Sequence, residues 1–205
     1  FYNKFHFKEN LIAINRYLLL GQGDMMQLLM ENLFDELKKP ANQIYKHNLQ
    51  ASLDTAIHSS NAKYNDIECL KKLNIKLLKA NTGDTGWDIF TLEYNVSSPL
   101  TVVFTQPLLH EYQRLFFFFW KLKRIEYSQS HQIWRKFMTY AHSLKHSFNN
   151  QKYIIHRAML FNQQIIHFVS NLHNYLALEV LETQYSKLIY KLSTITSLDE
   201  LIIQH

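Results

Sequence analysis

The sequence has 205 residues, enough for one large domain or two small ones with a real core. Hydrophobic residues make up 47% and charged residues 19%, which excludes a disordered tail. Four Gly and three Pro against 14% aromatic residues argue against an all-β sandwich and for long helices, and the formal net charge is +5.

The spacing predicts a first helix over 9–20, stopped at Gly21 by a left-handed cap. Asp24 is placed to cap a second, from Met25 to about Lys39, whose Met26, Leu29, Met30, Leu33 and Leu37 recur at helical steps until Pro40. A third is expected over about 42–59, with Ile44, Leu49, Leu53, Ala56 and Ile57 as its apolar stripe. A short one is expected over 66–73.

The pattern then changes. Residues 75–79 are short and apolar, and Asn81-Thr82-Gly83-Asp84-Thr85-Gly86 is a turn cluster. Phe90, Leu92, Tyr94 and Val96 alternate with polar residues, which is the period of a strand. Ser97-Ser98-Pro99 reads as a turn and 100–104 as a second strand, so a β-hairpin is expected there. Pro107 opens a helix without a breaker until about Asn149-Asn150, apart from a bend or loop near 128–130. A second long helix is expected over about 153–192. The fold class that follows is mostly α: a long antiparallel helical bundle with a small embedded β-hairpin.

Charge is concentrated. Residues 1–109 hold 11 basic and 11 acidic residues, residues 110–157 nine and two, and residues 158–205 two and four. The excess therefore lies between Arg114 and Arg157. Such a stretch is either a solvated helix face or a surface that meets an acidic partner.

Catalytic and metal chemistry finds little footing. His142 and His146 would share a helix face, but Ser143 stands where a zinc-protease helix needs Glu. The single cysteine, Cys69, excludes an internal disulfide and a multi-cysteine zinc site, and weakly favours a reducing compartment. Gly21-Gln22-Gly23-Asp24 lacks the third glycine and the Lys-Ser/Thr pair of a phosphate loop. Asp84, Asp88 and Glu93 form no paired set, and there is no Gly-x-Ser-x-Gly elbow. No catalytic residue, cofactor or metal is expected. FYNKFHFKEN lacks the apolar centre of a secretory signal, and no run reaches the length of a membrane span. Asn95-Val96-Ser97 matches a glycosylation sequon, but nothing marks the chain for export. The Leu115–Trp120 run is apolar on every side of a helix, as in a bundle core or a docking surface. The sequence begins at Phe1 and ends within an apolar-periodic segment, and is expected to be a fragment of a longer chain.

Five segments, in order, resemble the C-terminal domain of the gamma-tubulin complex component family. They are Arg16-Tyr17-Leu18-Leu19-Leu20-Gly21-Gln22-Gly23-Asp24; Pro40-Ala41-Asn42 with Tyr45-Lys46-His47-Asn48-Leu49; Gly83-Asp84-Thr85-Gly86-Trp87-Asp88-Ile89-Phe90; Tyr112-Gln113-Arg114-Leu115-Phe116 leading to Trp120, Lys123-Arg124 and Glu126-Tyr127; and Tyr175-Leu176-Ala177-Leu178-Glu179-Val180-Leu181-Glu182. The first and third are most similar to the component-three branch, which includes the yeast spindle-pole-body component. Phe116–Phe119 and the 128–150 stretch depart from the family pattern.

The resemblance implies that residues 1–205 are the first and larger part of that domain. It implies a non-enzymatic scaffold that binds gamma-tubulin beside other complex components and supports microtubule nucleation at a microtubule-organising centre, the centrosome or spindle pole body. Any GTP belongs to the tubulin. Tubulins are acidic, so Arg114, Lys121, Lys123, Arg124, Arg135 and Lys136 are the candidates for electrostatic contact, and the Gln22–Asp24 turn is a second candidate. The alternative reading is a basic helical nucleic-acid-binding module, with Tyr112, Trp120, Tyr127, Trp134 and Tyr140 as stacking platforms.

Overall fold

A computed structural model describes residues 6–143, 149–194 and 200–202. The chain divides into two compact units: Phe1–Phe119 with Gln184–His205, and Trp120–Thr183.

The first unit opens with α1 (Phe7–Tyr17) and α2 (Gly23–Leu33). Leu11 and Ile14 of α1, and Met26, Leu29, Met30 and Leu33 of α2, are buried as their spacing predicts. The left-handed residue between the helices is Leu20 (φ 59°), not Gly21. Gly21 serves close approach instead: a Cβ there would lie 3.1 Å from the Asn15 carbonyl oxygen. The second helix is shorter than its apolar spacing suggested: regular helix ends at Leu33 and Phe34–Lys38 are turns, although Phe34 keeps helical dihedrals and the Leu37 amide still donates to the Leu33 carbonyl at 2.9 Å. A 3-10 turn at Ala41–Gln43 precedes α3 (Lys46–Ser59), which buries Leu49, Leu53, Ala56 and Ile57. After a second 3-10 turn, Asn61–Tyr64, Asp66 caps α4 (Ile67–Lys71) by accepting from the Glu68 amide at 3.0 Å.

The hairpin exists, with a different partner from the one expected. Strand β2 (Phe90–Tyr94) pairs antiparallel with β1 (Leu73–Leu77), in the register Leu73↔Tyr94 to Leu77↔Phe90. Residues 100–102 form a 3-10 turn. The physical reason lies in what each segment buries. β1 sets Leu73 and Ile75 against the buried Phe90, Leu92 and Tyr94, and Lys76 closes on Glu93 at 2.8 Å on the other side. The 100–104 segment instead turns Leu100, Val103 and Phe104 into the core, where Phe104 stacks on Phe7 at 5.2 Å.

Between the strands, α5 (Gly86–Ile89) locks the connection to the end of α2. The Thr85 amide and hydroxyl both donate to Asp88 Oδ2, at 3.0 and 2.8 Å. The Gly86 amide donates to the Lys39 carbonyl at 3.1 Å and the Trp87 amide to that of Leu37 at 3.2 Å. Trp87 is buried edge-on to Phe34. Buried Asn10 joins α1 to the sheet. Its Oδ1 accepts from Tyr94 Oη at 2.9 Å and from Lys72 Nζ at 2.8 Å, and its Nδ2 donates to the His6 carbonyl. Burial pushes the Tyr94 hydroxyl far above its ordinary pKa, so it stays a donor.

Helix α6 (Gln106–Tyr127) begins where Pro107 predicts. Phe116 is fully buried and lies 6.2 Å from Phe90, while Leu115 and Phe118 are exposed. The phenylalanine run is thus core on one face and surface on the other.

The second unit takes in the last turns of α6, a π-helical stretch at Ser128–Ile133, α7 (Trp134–Ser143), α8 (Asn149–Asn174) and a second π-helical stretch at Tyr175–Glu182. The expected break near 128–130 is this π stretch, a widening of the helix rather than a loop. Asn149 and Asn150 are the first described residues of the second long helix. Helix α9 (Thr183–Thr194) follows, and all but its first residue belong to the first unit. Asn162, 4% exposed, donates to the Gln129 carbonyl at 3.3 Å. Glu126 faces His173, so earlier residues meet later ones and the unit is an antiparallel helical hairpin.

Gly86 gives a test of the lock on α2. A Cβ there would run into Ile44 Cδ1 and come within 2.8 Å of Leu37 Cα and 2.9 Å of its carbonyl oxygen. Overpacking against backbone predicts that Gly86→Ala lowers unfolding free energy by about 2 kcal/mol, read in urea denaturation with little change in slope.

Candidate partner-binding surface

The two units differ in charge. The first holds 14 basic and 14 acidic residues; the second holds eight and three, so the entire net +5 belongs to the helical hairpin. From 127 to 178 there is no Asp or Glu, while Arg135, Lys136, Lys145, Lys152 and Arg157 fall in that span. No ion pair can form within it.

The structure distributes the expected contact residues unevenly. Gln22, Asp24 and Arg114 belong to the first unit; Lys121, Lys123, Arg124, Arg135 and Lys136 belong to the second. Gln22 and Asp24 come together, but as a fastening. Gln22 Nε2 donates to Asp24 Oδ1 at 2.7 Å, and the Asn61 amide donates to Asp24 Oδ2 at 2.8 Å. That amide bond is the main reason the Asp24 carboxyl is held below its ordinary pKa. Arg16 and Tyr17 reach the same turn: Arg16 Nη1 donates to Asn65 Oδ1 and Asn65 Nδ2 to Tyr17 Oη, both at 2.8 Å.

Among the basic candidates, Arg114 donates to both carboxylate oxygens of Glu111 at 3.0 Å, on an exposed helix face. Lys123 and Glu126 pair at 3.1 Å with side chains only 17% and 24% exposed, so that cation is largely spent inside its own unit. Lys121 is exposed and Arg124 half-buried on the last turns of α6. Arg135 and Lys136 are adjacent and exposed on α7, beyond the π stretch. Electrostatic steering favours this last pair, since exposed cations keep their field in solvent.

Among the described residues no His, Cys, Asp and Glu side chains gather into a metal-binding group, and the one cysteine is not activated. Cys69 is buried, its Sγ 3.6 Å from Asp66 Oδ2, and burial pushes the thiol up, away from the thiolate a nucleophile needs. The side chains of His142 and His146 lie outside the described residues. No helix of the described residues is long and apolar enough to cross a membrane.

What composition alone missed is the match between charge and architecture. The basic excess is the property of one folding unit, and its carboxylate-free span runs on to 178. The signal was legible as the gap between Glu126 and Glu179.

The fold is that of a mostly helical domain, with a charge-neutral unit and a cationic helical hairpin. The family described as "Gamma tubulin complex component C-terminal" matches residues 8–205. The chain is 43% identical over 184 residues to "Spindle pole body component alp6" of Schizosaccharomyces pombe, covering 90% of this chain and 22% of that protein. It is 39% identical over 197 residues to "Gamma-tubulin complex component 3 homolog" of Xenopus laevis, and 36% over 204 residues to "Gamma-tubulin complex component 3" of Homo sapiens. These cover 96% and 98% of this chain and again 22% of the relative. The chain belongs to the gamma-tubulin complex component family, and it spans about a fifth of the length of these relatives.

His173 supplies a test of the hairpin's interior. Burial is the main cause that lowers its pKa; Glu126 opposes the shift and Lys123 adds to it. A His that holds its proton less tightly when folded than when unfolded costs stability as pH falls through the ordinary range near 6.5. Lowering pH from about 7.5 to about 5.5 should depress the melting temperature of the chain, and His173→Gln should make that drop smaller. An equal drop in both proteins would show that His173 does not contribute.

Proposed function

We propose that this chain is the gamma-tubulin-binding part of a scaffold subunit of a gamma-tubulin complex. In this reading it holds gamma-tubulin beside other complex components and supports microtubule nucleation at a microtubule-organising centre, in the cytoskeleton of the cytoplasm. It performs no chemistry of its own. The family match and the names of the relatives support the assignment. The observation that carries the docking mode is the confinement of the whole net charge to the helical hairpin. Long-range attraction speeds encounter with an acidic tubulin, and apolar contacts complete docking.

The use of the family's motifs supports a non-enzymatic role. Asp24, Thr85, Gly86 and Asp88 join helix ends to turns.

The experiment is a pull-down of gamma-tubulin by the complete subunit carrying Arg135→Glu and Lys136→Glu, at low and moderate salt. Binding should weaken roughly tenfold at low salt, with a smaller difference as salt screens the field. Circular dichroism on the variant checks that its helices are intact. Unchanged binding at both salts would remove the electrostatic docking mode. Steeply salt-dependent capture of an oligonucleotide, with no capture of gamma-tubulin, would favour the nucleic-acid reading.

A further inference from the structure

The second unit has two rods: the end of α6 through α7, and α8 with the π-helical stretch after it. They meet along a seam with a seven-residue repeat. On the second rod Ile155, Asn162, Val169 and Leu176 are buried or half-buried at successive heptad steps, and so are the residues three and four places after each of the first three. Most of the intervening positions are exposed. On the first rod the half-buried Lys123, Ser130 and Phe137 keep the same step. Steps of three and four residues in alternation are the period of a coiled-coil seam, here an antiparallel one.

Two devices ordinarily decide which residues of such a seam meet. Opposite charges along its borders pair in one register, and a polar residue in the apolar line must find its own partner. The first device is closed to most of this hairpin. From 127 to 178 there is no Asp or Glu, so neither rod can offer a carboxylate to the other there. At the base, Glu126 is tied to Lys123 of its own rod, and burial disfavours the charged form of the His173 that it faces.

The second device is present. Asn162 is 4% exposed, and no other described polar residue of this unit is as buried. Its Nδ2 donates to the Gln129 carbonyl at 3.3 Å. That carbonyl belongs to the π-helical stretch Ser128–Ile133, where the first rod is widened. A slip of one heptad moves the second rod roughly 10 Å along the first. Asn162 would then face α6 or α7, whose carbonyls are engaged within their own helices. A buried amide left unpaired lowers the population of such a register roughly tenfold or more. We propose that Asn162, through the Gln129 carbonyl, sets the register in which the two rods pair, in place of the ion pairs that the composition forbids. The inference concerns the hairpin itself and stands whether or not gamma-tubulin docks on it.

The test reads the register directly. Benzoylphenylalanine is placed at Phe137 in the complete subunit, and mass spectrometry locates its photo-crosslinks on α8. With Asn162 in place the crosslinks should fall in one short cluster. Asn162→Leu keeps the seam apolar and the residue a good helix former, but removes the amide. Asn162→Ala removes the amide without adding volume. In both variants a second cluster, about seven residues from the first, should rise at least about tenfold over the parent. Circular dichroism checks that the helices remain. The same single cluster in both variants overturns the proposal and leaves the bond as a fastening only. Loss of helix in Asn162→Leu also overturns it, since Asn162 would then be required for the rods to form rather than for their alignment.

Discussion

Between Glu126 and Glu179 the chain places no carboxylate, and the helical hairpin is built under that constraint. A pair of long helices usually laces its exposed faces with opposite charges at three- and four-residue steps. Here the span has cations and histidines but no acids, so ion pairing within it is ruled out. Cohesion falls to apolar side chains such as Val169 and to the buried amide of Asn162 on the Gln129 carbonyl. That hydrogen bond sits where the first rod widens into a π-helical stretch, the place where a carbonyl can turn to meet a neighbouring side chain. The positive charge is left outside, where it acts at a distance.

The first unit follows the opposite logic. Its charges balance, and its polar residues are spent locally. Asp24 fastens the start of α2 to the turn after α3; Thr85 and Asp88 cap α5; Asn10 gathers Tyr94 and Lys72 under α1. Asp24, Thr85 and Asp88 belong to the most distinctive sequence segments. What makes those segments diagnostic is geometry. Gly86 cannot carry a Cβ against Leu37, and Gly21 sits tight on the Asn15 carbonyl. A motif that looks like a site in the sequence, such as Gly-Gln-Gly-Asp, turns out to be a joint.

Much of this was legible in the sequence, for identifiable reasons. The apolar stripes of α2 and α3 rest on local periodicity and are buried as expected, whereas Asp24 lies inside the first turn of α2 instead of capping it, the N-cap position being Gln22. The strand at 90–94 was visible in its alternation, but its partner was not. Residues 73–77 and 100–104 are both short and apolar, and the choice between them is made by contacts far along the chain, such as Phe104 on Phe7. The end of α2 was missed because Leu37 keeps the helical spacing while serving a turn that packs on Gly86. The candidate surface divided in the same way. The basic excess was countable, yet counting does not reveal that Lys123 is tied to Glu126 while Arg135 and Lys136 stand on an exposed face.

In the proposed docking mode the cationic hairpin, rather than the charge-neutral unit, meets gamma-tubulin. The most direct measurement is a structure of the complete subunit bound to gamma-tubulin within its complex. Docking through the hairpin places carboxylates of the bound partner within about 4 Å of the Arg135 and Lys136 side chains. Finding those side chains sealed against the subunit's own chain, or facing open solvent with gamma-tubulin held elsewhere, would contradict it.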